Sequence, residues 1–312
     1  MSFSTMKISV ILALAASVAQ VSAHGFVKEI IIDGQSFPGF DVGQDPFKPS
    51  GIPPKIGWTN TAGDIGFING SDYAEPNIIC HRDSKNAKLS APIAAGGNLT
   101  MQWTDWPESH FGTITEHLAD CKGDCSTVDK TTLEFFKISE AGLIDGTSKP
   151  PKWAATELIK QGNKWEVTIP ANVKPGQYVL RHEIIALFGA GNQLGAQHYP
   201  QCINLEITGS GTELPAGTKA TSFYKVDDPN ILVDLNKSPV TYPVIPGGPL
   251  AFAAGGAAGG AAGGGGGNKA KPVDNNSTTG VEAAKPPTTL STSTRPKATP
   301  APETKSDDEC PK

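Results

Sequence analysis

No aromatic residue follows Phe252, and the only larger aliphatics beyond it are Val273, Val281 and Leu290. From Ala253 to Gly267 the chain is 15 consecutive residues of Ala and Gly, followed by a stretch rich in Pro, Ser, Thr and Lys. Such a composition offers too little apolar surface to offset roughly 1 to 2 kcal/mol of backbone entropy per residue. Residues 253–312 are therefore expected to be a disordered tail. Basic charge is scarce as well: Lys and Arg total 26 against 31 Asp and Glu, a net charge of -5, with no basic block between residues 24 and 252. That balance argues against nucleic acid and anionic membrane as partners. No second apolar segment of about 20 residues follows the first one, so a membrane-spanning helix is not expected.

What is present sharpens the picture. Lys7, the apolar run Ile8 to Val18 and the small residues of Val21-Ser22-Ala23 have the order of a secretory signal cut after Ala23. Residues 24–252 then form one domain of ordinary size, which is expected to be extracellular. Four of the five cysteines lie in it, and in a secreted chain they suggest two disulfides with three possible pairings. The short spacing favours Cys121 with Cys125, leaving Cys80 with Cys202. Cys310 in the tail is left over. Sequons at Asn69, Asn98, Asn236, Asn275 and Asn276 fit a glycoprotein, with Asn69 and Asn98 in the more turn-like settings.

Helical periodicity is nearly missing from the domain, and one short helix near Ala154 to Lys160 is expected. Short extended runs dominate instead: Phe26 to Ile32, Leu99 to Trp103, Leu133 to Ile138, Trp165 to Ile169, Tyr178 to Ala186 and Gln201 to Ile207. Several alternate apolar and polar residues, and turns such as Asp33-Gly34, Gly96-Gly97-Asn98 and Lys174-Pro175-Gly176 separate them. The pattern predicts an all-β immunoglobulin-like or fibronectin-like β-sandwich with long loops.

If the cut falls after Ala23, His24 begins the mature chain. An N-terminal histidine offers its α-amine and ring Nδ1 to one metal, a chelate no internal histidine can form. Around it stand Ile79-Cys80-His81, Trp106-Pro107-Glu108-Ser109-His110, Gly123 to Lys130, Leu180-Arg181-His182-Glu183-Ile184-Ile185-Ala186-Leu187 and Gly195-Ala196-Gln197-His198-Tyr199-Pro200-Gln201-Cys202. With His24-Gly25-Phe26-Val27 and the ending Tyr242 to Pro249, this series resembles the fungal auxiliary activity family 9 lytic polysaccharide monooxygenases, once called glycoside hydrolase family 61.

The resemblance implies one copper ion in a histidine brace. His24 gives amine and Nδ1, His110 gives Nε2, Tyr199 takes an axial position, and Gln197 is a hydrogen-bonding neighbour on the same strand face as Tyr199. It further implies oxidative cleavage of a β-1,4-glucan such as cellulose by a monomer fed by an external electron donor. Phe40, Phe47 and Tyr242 are candidate sugar-stacking rings. Of the other histidines, His81 reads as structural or surface, His117 lies beyond the second brace motif, and neither is expected to bind copper. Alternation sets His182 opposite Arg181 and Glu183, which read as a buried charged pair, and His198 opposite Tyr199. Two positions depart from the family pattern. Phe111-Gly112-Thr113 follows His110, and Phe188 stands where most members carry a histidine after Ala-Leu. A phenyl ring donates no hydrogen bond, which keeps a non-catalytic copper protein as the alternative. A glycosidase is poorly supported, since no acidic pair, including Glu108 with Glu183, stands out.

Overall fold

The computed structural model describes residues 24–252. The expected signal at 1–23, the tail at 253–312, Asn275, Asn276 and Cys310 lie outside the described residues. The described strands are β1 (Val27–Ile32), β2 (Gln35–Pro38), β3 (Ala91–Ala94), β4 (Asn98–Trp103), β5 (Gly112–Asp120), β6 (Phe136–Ala141), β7 (Leu143–Asp145), β8 (Lys152–Trp153), β9 (Lys164–Thr168), β10 (Gly176–Ala186) and β11 (Gln197–Thr208). Helix α1 covers Asn77–Cys80 and α2 covers Ala154–Lys160, where the sequence predicts it.

One sheet runs β2-β1-β4-β9, a second runs β3-β11-β10-β5-β6, and β7 pairs with β8 at the side. All ladders of the second sheet are antiparallel except β3 with β11. The two large sheets close on each other as an immunoglobulin-like sandwich. Ile30, Leu99, Met101, Trp103 and Val167 of the first sheet share a core with Ile114, Leu118, Leu180, Ile184, Ile203 and Leu205 of the second. Their period of two along each strand puts one apolar face inward, and that burial is what holds the layers together.

The second sheet is buried on its outer face as well. There Val179, Ile185, Cys80, Cys202, Trp58, Tyr73 and Tyr224 form another cluster under the long loops. The disulfides Cys80–Cys202 and Cys121–Cys125 are both present. The first spans 122 residues and ties α1 to β11, and closing a loop of that length stabilises by about 4 to 5 kcal/mol in the chain-entropy model.

Double burial explains why β5 is hard to see in a sequence. All of its residues but Asp120 are buried, and Thr113, Thr115, Glu116 and His117 sit among them. Gly112 opens this strand because a Cβ there would come within 1.9 Å of the Ile185 carbonyl oxygen. The close approach sets β5, and the loop before it, firmly against the end of β10.

Candidate metal centre

Three segments converge at one end of the sandwich. His24 stands just before β1, held there by the Phe26 N–H donating to Thr104 Oγ1 at 3.2 Å. Gly25 lets the chain pass close to the next segment, since a Cβ would lie 2.9 Å from Thr104 Oγ1 and 3.2 Å from the Trp106 ring. His110 ends a turn in which its own N–H donates to Pro107 O at 3.0 Å, and the Trp106 indole N–H donates to His110 O at 3.0 Å. Tyr199 enters from β11 on its inward face, opposite Ile184 of β10.

The rings of His24 and His110 stand edge to face, 5.3 Å apart and at 88°. Tyr199 lies 5.9 Å from His24 and 6.4 Å from His110 by ring centroid, and Trp106 closes the floor 4.9 Å from Tyr199. The Tyr199 hydroxyl donates to Gln197 Oε1 at 2.6 Å, so the two residues share a strand face as their spacing of two predicts. Ser109 Oγ is 3.0 Å from His110 Nδ1. With the ring proton on Nδ1 and donated to Ser109, the Nε2 lone pair is left available to a ligand.

Electrostatics favour neutral rings. Burial, and then the neighbouring His24, push the His110 imidazole down to about 4. Burial also lowers His24, against the pull of Asp64. Both are therefore unprotonated near neutrality, the state a metal requires. His110 Nε2 is buried and makes no hydrogen bond, which in a native protein calls for an explanation such as an ion.

A model of Auxiliary Activity family 9, formerly GH61, matches residues 24–242. The chain belongs to this family. AA9 family lytic polysaccharide monooxygenase A of Thermoascus aurantiacus is 53% identical over 227 residues, covering 73% of this chain and 99% of that one. The monooxygenase A of Talaromyces pinophilus is 54% identical over 231 residues, 74% of this chain and 73% of its own. Among solved structures, the extended catalytic domain of H. jecorina LPMO9A superposes with a TM-score of 0.71 at 43% identity, covering 77% of this chain and 96% of that one. As a member of AA9 the chain is a copper-dependent polysaccharide monooxygenase, an oxidoreductase that works with an external reductant.

The residues present fit copper. Two neutral imidazoles, one of them with a buried nitrogen that makes no hydrogen bond, suit copper. Among the described residues no group of three or more His, Cys, Asp and Glu converges. Other expected residues fall elsewhere. His198 turns away from Tyr199, with Nδ1 3.1 Å from Glu183 and Nε2 2.8 Å from the Tyr73 hydroxyl. His182 is buried on the inner face, and His117 Nε2 donates to Gly247 O at 2.9 Å. His81 is buried too. Glu183 is fully buried in an ion pair with Arg181, which leaves it no role as a glycosidase acid.

Of the expected sugar-stacking rings, Phe40 needs correction, and Tyr242 is half-buried. Phe40 is 5% exposed, which leaves too little of its surface for a sugar ring to stack on. Tyr242 sets its ring edge against Trp153 at 5.2 Å, and its hydroxyl donates to Asn230 O at 2.7 Å. Packing of the last loop uses both of its ends. Phe47 is 80% exposed on a short 3-10 turn, Asp45–Phe47, and stays a candidate.

Sequence reasoning missed Phe67, whose ring is 5.9 Å from His24 and 6.2 Å from Tyr199. The Arg82 guanidinium donates to the Phe67 carbonyl at 2.9 Å and holds Asp64 at 2.8 Å, fixing this loop beside the site. Trp106 was visible only as part of a motif. Of the glycosylation candidates, Asn98 and Asn236 are exposed and Asn69 is half-buried.

Proposed function

We propose that the chain is secreted, cut after Ala23, and acts as a monomer on β-1,4-glucan, cellulose first, oxidising a carbon beside the glycosidic bond. The observation that carries the metal assignment is the buried, unbonded Nε2 of His110 on a ring 5.3 Å from that of His24. In the uncut chain the nitrogen of His24 is an amide. The cut converts it to an amine; His24 would then hold the ion through amine and Nδ1, His110 would supply the third nitrogen, and Tyr199 stands beside them, 5.9 and 6.4 Å away by ring centroid.

Copper bound there would supply the chemistry that inserts one oxygen atom into a C–H bond, with oxygen or hydrogen peroxide as the oxidant and the external donor as the source of electrons. The protein's own contribution is position. Trp106 and Ser109 hold His110, Gln197 holds the Tyr199 hydroxyl, and burial keeps both imidazoles neutral so that no proton competes for the ligand nitrogens. Once the carbon is hydroxylated, the new hydroxyl collapses to a carbonyl and expels the neighbouring glycosidic oxygen as an alcohol.

A protein carrying one extra residue before His24 is expected to lose copper affinity by more than the roughly 10- to 100-fold that an outer-shell change costs. Unchanged affinity by calorimetry refutes the role of the amine. Aldonic acids or 4-keto sugars released from cellulose with ascorbate and copper are expected, and their absence from the fully loaded protein sinks the cellulose reading. One observation favours a second reading, a copper protein without turnover: Phe188, a ring with no hydrogen-bond donor, lies 4.5 Å from His110.

A further inference from the structure

Among the described residues, the exposed large apolar side chains include Phe47, Ile52, Leu89, Phe188, Leu194 and Val244. Of these, Phe188 is the one whose ring touches a histidine of the metal centre, at 4.5 Å and 47° from His110, while remaining 42% exposed. The ring is thus neither core nor ordinary surface. One part lies on the metal ligand and the rest opens to solvent at the mouth of the site.

The backbone holds it there. Leu187 is fully buried in the outer cluster with Ile185, and its N–H donates to Phe111 O at 2.9 Å, so alternation sends the next side chain to the opposite side, that of Ile184 and the metal centre. Ala190 N–H donates to Leu187 O at 2.9 Å, Gly195 N–H to Asn192 O at 3.0 Å, and Val233 N–H to Ala190 O at 2.9 Å. Gly189 and Gly195 lie so close that a Cβ on Gly195 would sit 1.9 Å from Gly189 O. Phe188 therefore leaves a closed, cross-braced loop, and ordering it on ligand binding costs little entropy. With Phe67 on the other side, four rings follow one another, Phe67, His24, His110 and Phe188, at centroid spacings of 5.9, 5.3 and 4.5 Å.

A wet apolar ring rigidly fixed beside a reaction centre suits a ligand with a flat C–H face. A pyranose ring whose substituents are all equatorial has such a face, with its hydroxyls around the edge, and in a β-1,4-linked glycan these rings follow one another in an extended ribbon. An α-1,4-linked chain coils and does not present them in a plane. We propose that Phe188 is a docking residue for a sugar ring of an equatorial β-1,4-linked glycan, stacking beside His110 and positioning the adjoining bond over the centre. The proposal rests on the polysaccharide reading given above. It assigns Phe188 to substrate binding and gives it no part in proton transfer.

The test uses copper-loaded, secreted full-length protein without reductant. Binding isotherms on microcrystalline cellulose and on insoluble starch are compared for the wild type, Phe188→Ala, Phe188→Leu and Phe188→Trp, with the Cu(II) paramagnetic resonance spectrum recorded for each. Aromatic stacking is worth about two- to twelvefold in affinity. Phe188→Ala and Phe188→Leu are expected to weaken cellulose binding by that factor, Phe188→Trp to keep it, and starch binding to be weak throughout, with the spectra unchanged. Cellulose binding by Phe188→Ala equal to wild type overturns the proposal, as does an equal loss in Phe188→Trp. If Phe188→Ala does not fold, the contrast of Leu with Trp decides. A wild type that binds cellulose but gives no oxidised product once ascorbate is added overturns the cellulose oxidation reading alone, and the docking role is still decided by the variants.

Discussion

Strand β10 carries two buried polar networks, one on each face, and they are built differently. Outward, the Arg181 guanidinium donates twice to Glu183, at 2.7 Å each, and also to the carbonyls of Ile79 and Ile78 at 2.8 Å. His198 and the Tyr224 hydroxyl complete the carboxylate. Inward, His182 Nδ1 meets Glu116 Oε1 at 2.7 Å, and its Nε2 accepts from the Trp103 indole at 2.8 Å. Glu116 Oε2 makes no hydrogen bond among the described residues.

The two carboxyls respond in opposite directions. Burial opposes ionisation of both. At Glu183 the Arg181 charge and the His198 contacts outweigh burial and hold the group well below the usual carboxylate range. At Glu116 burial prevails over His182 and the weaker pulls of Trp165 and Arg181, so the group is raised. A buried charge is tolerated where its lone pairs are filled and an opposite charge lies against it. The outer network meets that condition because the Cys80–Cys202 bridge brings the end of α1, with its free carbonyls, over Arg181.

Removing the cation should separate the two most sharply. Arg181→Met leaves Glu183 buried beside no charge, and a loss of about 3 to 5 kcal/mol in denaturant unfolding is expected. A loss below about 1 kcal/mol would mean that the outer network is not held by charge. On the inner face, Trp103→Phe removes one donor and leaves His182 Nε2 unpaired, at an expected cost of about 1 to 3 kcal/mol by the same measurement. Should the inner change cost more than the outer, the ranking of the two faces is reversed.

The sorting of residues between these faces was legible in advance. The Tyr178 to Ala186 run sets Arg181 and Glu183 on one side and His182 on the other, because successive side chains of a strand must alternate. The same rule paired Gln197 with Tyr199 and turned His198 away. Less was legible where the cause is tertiary. β5 hides its strand character, since burial on both faces removes the alternation and its polar residues resemble a loop. Phe40 is a candidate stacking ring by type and position yet is buried, because aromatic type does not tell a stacking platform from a packed core ring. Phe67 had no local signal at all. It reaches His24 only because Arg82, 15 residues later, grips its carbonyl.

The smallest effect probes the raised carboxyl. A group that holds its proton more firmly in the folded state than in the unfolded chain contributes stability below the unfolded pKa, and loses it as pH rises toward the folded one. Glu116 has that sign, and glutamine in its place cannot ionise. Melting curves for wild type and Glu116→Gln, taken from about pH 4 to about pH 7, should therefore diverge in slope, the wild type losing relative stability by up to about 1.4 kcal/mol per pH unit inside the window. Glu183 gives the opposite slope, at lower pH, because its folded carboxyl binds protons less readily than the unfolded one. If the two curves stay parallel, Glu116 ionises alike in both states. The inner network would then be a second charge-balanced pair, and the contrast between the faces of β10 would rest on hydrogen-bond count alone.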